Sequence, residues 1–113
     1  MPDATMVLDR QQLRNATLDD EELMREIVAA LIDDTALQLP LLDAAIRQRD
    51  PRATARLAHY AKGACATVGA RSAAAALEDI ERTAARDDFD ACRLSLGNLA
   101  QAIDRLRAEV FPA

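Results

Sequence analysis

The stretch Ala58-His59-Tyr60-Ala61-Lys62-Gly63-Ala64-Cys65-Ala66-Thr67-Val68-Gly69-Ala70 decides how this chain is read. It holds the sole histidine of the 113 residues and two of the three glycines, with a lysine three positions after the histidine. Upstream, Asp50-Pro51 is a strong helix start. The carboxylate can cap the first turn, and proline suits the first helical position. Downstream, Gly69 supplies the left-handed residue that ends a helix. The spacing predicts a helix from Pro51 to about Val68, with an apolar stripe of Leu57, Ala61, Ala64 and Val68 flanked by Ala58 and Cys65. At ~100° per residue, His59 lies ~200° from Leu57 and points away from the core.

The face around His59 carries Arg52, Ala55, Arg56, Lys62, Gly63 and Ala66. It is basic on a chain of net charge −5, and it is sterically bare. A glycine inside a helix costs ~1 kcal/mol relative to alanine. Access of another macromolecule to the imidazole would compensate for that cost at Gly63. Lys62, one turn from His59 on the same face, would offset negative charge placed on the ring.

The flanking segments read as further helices. From Leu23, the residues Ile27, Leu31, Thr35, Leu39, Leu42 and Ile46 step by three or four over about seven turns. Thr17 and Asp20 resemble a capping box at its start, and acidic residues crowd its first turn. Pro40 predicts a kink or break near Ala36 to Pro40. After Gly69, a helix starting near Arg71 or Ser72 carries the stripe Ala73, Leu77, Ile80 and Ala84. Asp87 or Asp88 caps the last helix. Its apolar residues Phe89, Cys92, Leu96, Leu99, Ile103, Leu106 and Val110 alternate by three and four over about three heptads. Ahead of all these, Met6, Val7, Leu8 and Leu13 suggest a short helix over about 6–14, packed across one end. A lone coiled coil is the alternative. Four long helices joined by short loops favour an all-α, antiparallel up-down four-helix bundle over about 18–111, with the short N-terminal helix added, as one domain over 1–113.

Composition bounds the function. Aromatics are only 3% and the balance is acidic, which argues against nucleic acid or an anionic membrane as partner. No apolar run approaches the ~20 residues needed to span a bilayer. The stretch Met1-Pro2-Asp3-Ala4-Thr5 lacks the order of a signal peptide, so a cytoplasmic location is the expectation. Cys65 and Cys92 fall on apolar stripes and read as small buried core residues, with a disulfide as the minority reading. No metal-ligand spacing is present.

The stretch from Ala58 to Ala70 resembles the histidine-containing phosphotransfer (HPt) domain family, whose pattern runs alanine-histidine-x-leucine-lysine-glycine, then small residues and a glycine. The likeness extends over nearly the whole chain, including Leu31-Ile32-Asp33-Asp34-Thr35 and Asp50. Ala61 stands where leucine is common, and Ala64 where serine is frequent. The resemblance implies a phosphorelay intermediate of two-component signalling. His59 would accept a phosphoryl group at Nε2 from a receiver-domain aspartate and pass it to another receiver. It implies a phosphocarrier without kinase or phosphatase activity of its own. No cofactor is bound by the chain itself, and Mg²⁺ is supplied by the receiver.

Carried over residue by residue, the resemblance makes His59 the phosphoacceptor, Lys62 the stabiliser of phosphoryl charge and Gly63 the point of steric access. Glu81 falls where the family places a polar residue that orients the imidazole. Arg52, Ala55, Arg56, Tyr60 and Ala66 would form the docking face for response-regulator receivers or a hybrid histidine kinase, the protein itself being a monomer. Two other readings stay open: the phosphoacceptor domain of a chemotaxis-type histidine kinase, and a helical receiver-binding module that carries no phosphate.

Overall fold

The computed structural model describes residues 6–112, so the N-terminal stretch Met1 to Thr5 lies outside the described residues. The described chain forms five helices: α1 Arg10–Thr17, α2 Glu21–Arg47, α3 Pro51–Val68, α4 Arg71–Ala85 and α5 Phe89–Val110. The described residues contain no strand. Helix α2 packs on α3 and α5, α3 on α4, and α4 on α5, closing a ring of four helices, while α1 rests on α2 and α3.

Local chemistry sets the boundaries. Asp20, Asp50 and Asp88 each place a carboxylate on the backbone N–H three residues on, capping α2, α3 and α5. Pro51 occupies the first turn of α3, and Gly69 closes it at φ +93°. A Cβ at Gly69 would lie 3.0 Å from the Asp9 carbonyl oxygen. The glycine therefore serves both the helix stop and the close passage of the N-terminal segment.

Three local expectations are corrected. The N-terminal helix spans Arg10–Thr17 and not 6–14. Asp9 caps it, and the segment before it is tied to the α4 start, where the Ser72 N–H and hydroxyl both donate to the Met6 carbonyl at 2.9 Å. Thr17 forms no capping box. It ends α1, buried, with its hydroxyl donating to the Leu13 carbonyl at 2.8 Å. Pro40 does not break α2, which stays helical from Glu21 to Arg47. Its ring lies on the exposed side, where solvent can serve the carbonyl that loses its partner.

The core runs through the ring. Val28, Leu42, Ile46, Leu77, Ile80 and Leu99 are fully buried. The buried residues of α3 are all small, Thr54, Ala58, Ala61 and Cys65, and α4 adds Ala73, Ala76 and Ala84 beside the larger Leu77 and Ile80. Of the helix pairs, α3 and α4 pack together most extensively, and the site below lies across that pair. Cys65 and Cys92 are free and buried, and the Cys92 thiol lies 3.2 Å from the Thr83 hydroxyl. Burial pushes the Cys65 thiol up to about 11. No described helix is long and apolar enough to cross a membrane.

Candidate functional site

His59 sits mid-way along α3 on the side away from the core, with 70% of its side chain exposed. The outward direction follows from the helical period, since the neighbouring core positions Ala58 and Ala61 are buried. Its Nδ1 lies 2.9 Å from Oε2 of Glu81 on α4. The Lys62 ammonium donates to the other oxygen of the same carboxylate, Oε1, at 2.7 Å. Glu81 thus grips both residues, one oxygen to each. The extensive contact between α3 and α4 brings the glutamate within reach.

The electrostatics follow from the contacts. The Lys62 ammonium, ahead of the imidazole, holds the Glu81 carboxyl below its ordinary value, against the opposing effect of partial burial. Glu81 is therefore ionised at neutral pH and accepts hydrogen bonds only. A neutral imidazole beside it carries its proton on Nδ1, and Nε2 is left with the lone pair. Two-thirds or more of the ring faces solvent, so that lone pair is open to a second molecule.

The other expected residues fall around this centre. Arg52, Arg56, Tyr60, Gly63 and Ala66 are exposed, and Ala55 is half-buried. Lys62 and Tyr60 lie ~200° apart about the α3 axis, so Tyr60 is on the flank opposite α4. A Cβ added at Gly63 would meet nothing within 4 Å. No atom of the described protein requires a glycine there. The sequence reading missed two exposed leucines of α2, Leu37 at 68% and Leu41 at 51%. Each lies off the α2 core stripe, and an apolar residue off the stripe is the signal that would have found them. Among the described residues no three His, Cys, Asp or Glu side chains converge to hold a metal ion.

A helical frame that holds an exposed imidazole by one nitrogen leaves the other nitrogen free to act as a nucleophile. The Hpt domain family model matches residues 26–109, and the chain belongs to that family of histidine-containing phosphotransfer modules of two-component signalling. Such domains are phosphocarriers, not enzymes, and interact with receiver domains and kinases. The fold is also that of histidine-containing phosphotransfer protein B (HptB) from Pseudomonas aeruginosa PAO1, with a TM-score of 0.83, 21% identity, 92% of this chain covered and 90% of that one. No curated protein matches the chain in sequence.

Proposed function

We propose that the chain is a phosphorelay intermediate in which His59 accepts a phosphoryl group from the aspartyl phosphate of one receiver domain and passes it to another. The observation that carries this reading is the 2.9 Å contact between His59 Nδ1 and Glu81. With Nδ1 protonated and held, Nε2 attacks phosphorus, the N–P bond forms and the aspartyl P–O bond breaks. The receiver carboxylate leaves. The ring becomes a phosphorylated imidazolium, whose Nδ1–H stays on the Glu81 carboxylate. Catalysis is mainly positioning and charge stabilisation. Lys62 is one turn away to meet the phosphoryl oxygens, moving off Glu81 or sharing it. The receiver supplies Mg²⁺, and the chain supplies the nucleophile.

The helices form an antiparallel up-down bundle in this reading, as the short connections Gln48–Asp50, Gly69–Ala70 and Arg86–Asp88 suggest. The Thr35 hydroxyl and Cys65 thiol, 4.0 Å apart, mark where α2 meets α3. Counting outward from that contact puts Leu41 level with His59 and Leu37 level with Gly63. The docking face then includes these leucines, Tyr60 and the bare surface at Gly63 and Ala66, with Arg52 and Arg56 directed at the acidic pocket of a receiver.

The test is phosphotransfer from a panel of phosphorylated receiver domains, run beside kinase catalytic domains with ATP. Acid-labile label should appear on the wild type from a receiver and be absent from His59→Gln at unchanged helicity. Label on His59→Gln, or label from kinase domains alone, would overturn the reading.

A further inference from the structure

A second concave site lies at the end of the molecule where α1, the start of α2 and the end of α5 come together. The concavity has a volume of about 260 Å³. Leu8, Leu13, Met24, Val28 and Val110 make its floor. Its rim carries three guanidinium groups, Arg10, Arg14 and Arg25, on a chain whose net charge is −5. Arg10 is bridged to Glu109 of α5 at 3.6 Å. That ion pair spans the opening between α1 and α5, which make no direct backbone contact. Arg14 and Arg25 have no ion-pair partner among the described residues, Glu21 on the same rim included.

Most of this wall lies before residue 26 or after residue 109, outside the stretch that the family model matches. It is also far from the chemistry. His59 is level with Leu41 of α2, whereas the pocket begins at Val28, 13 residues and ~20 Å back along that helix. The pocket is therefore separate from the phosphotransfer site.

We propose that this cavity binds a small apolar monocarboxylate, its hydrocarbon on the leucine, methionine and valine floor and its carboxylate between Arg14 and Arg25. The volume suits a chain of about eight heavy atoms. A carboxylate met by two guanidiniums gains charge-assisted hydrogen bonds of defined geometry. Met24, unbranched and flexible, lets the floor adjust to the tail.

The test is a titration of the full chain with sodium octanoate, followed by amide chemical shifts. Expected are saturable shifts confined to Leu13, Met24, Val28 and Val110, equal in the wild type and His59→Gln. The double variant Arg14→Gln/Arg25→Gln, altered only at exposed side chains and checked for unchanged helicity, should bind at least tenfold more weakly. Arg105→Gln, on the exposed side of α5, should bind as the wild type does. Octanol, with the same tail and no charge, should also bind at least tenfold more weakly. Non-saturating shifts spread over other apolar surfaces, equal binding by the double variant, or equal binding of octanol would overturn the proposal.

Discussion

Glu81 Oε2 lies 2.9 Å from His59 Nδ1 while its other oxygen holds Lys62 at 2.7 Å. One carboxylate thereby sets both the tautomer of the nucleophile and the resting position of the nearby cation. In the neutral ring, Nε2 should be the unprotonated nitrogen, and the ¹⁵N shifts of the ring read this tautomer directly. Glu81→Ala should remove the preference and slow phosphoryl acceptance about tenfold, the rate equivalent of ~1.4 kcal/mol and near the low end for a hydrogen bond to a charged group. Glu81→Gln, which can still accept from Nδ1, should lose less. Equal rates for all three would show that Glu81 does not orient the ring.

Lys62 has two roles that a variant can separate. Lys62→Ala should slow transfer, by about tenfold if the ammonium meets the phosphoryl oxygens, and Lys62→Arg should recover much of that loss. Independently of transfer, the Glu81 carboxyl should titrate higher in Lys62→Ala, because the ammonium is the main cause of its lowering. Carbonyl ¹³C shifts across a pH series measure this. A Glu81 titration unchanged by the substitution would show that the 2.7 Å contact does not persist in solution.

Asp9 ties the N-terminal segment to the end of the histidine helix. Its carboxylate accepts from the Gln12 N–H and from Arg71 Nε and Nη2, and its own N–H donates to the Gly69 carbonyl. The Arg71 guanidinium, then the Gln12 amide, lowers its carboxyl below the ordinary value. A carboxyl lowered on folding contributes stability that is full above its unfolded value and is lost as pH falls through its folded value. Asp9→Asn should therefore melt lower than the wild type at pH 7, with the two curves converging in acid below the ordinary aspartate range. Hydrogen exchange at Gly69 and Ala70 should accelerate in the variant at neutral pH.

The Cys65 thiol stands six residues after His59, and burial raises it to about 11. A thiol reacts through its thiolate, so this one should resist iodoacetamide at pH 8 in the folded protein and react on unfolding. Mass spectrometry of the alkylated native chain should show no label at Cys65. Native labelling at a rate typical of a free thiol would place Cys65 outside the core.

What was legible in the sequence was what is decided locally. Asp50-Pro51 and Gly69 mark helix ends through bonds to residues three or four away, and the sequence places them correctly; for the last helix it narrows the cap to Asp87 or Asp88, and Asp88 fills it. The period of α3 likewise puts His59 outward, where it is found. The start of α1 was misread because Met6 is held by Ser72, 66 residues on, and no local pattern records that bond. Pro40 was misjudged because the cost of a helical proline depends on whether its face meets solvent. The pairing of Lys62 with Glu81 was not foreseen because it depends on how α3 and α4 pack together. Leu37 and Leu41 stand off the core stripe of α2, and that departure from the period is the signal by which the sequence marks them.

Gly63 and Gly97 offer a paired experiment. Both lie inside helices, in α3 and α5, and at each an added Cβ would meet nothing within 4 Å. Glycine at such a site gives up ~0.4–1 kcal/mol that alanine would restore, chiefly through the unfolded chain. Gly63→Ala and Gly97→Ala should each raise the melting temperature by about 2–6 °C. Function should divide them. Gly63 lies one turn from His59 on the face offered to a receiver, so a larger side chain there would stand between the imidazole and the incoming phosphoryl group. Gly63→Leu should keep helicity and melting temperature near those of Gly63→Ala yet lose phosphotransfer by tenfold or more, an estimate that follows from displacing reacting groups by about an ångström. Gly97→Leu, away from His59, should leave transfer unchanged. If both leucine variants transfer phosphate at wild-type rates, Gly63 is not a point of access, and its persistence inside α3 has no explanation in this fold.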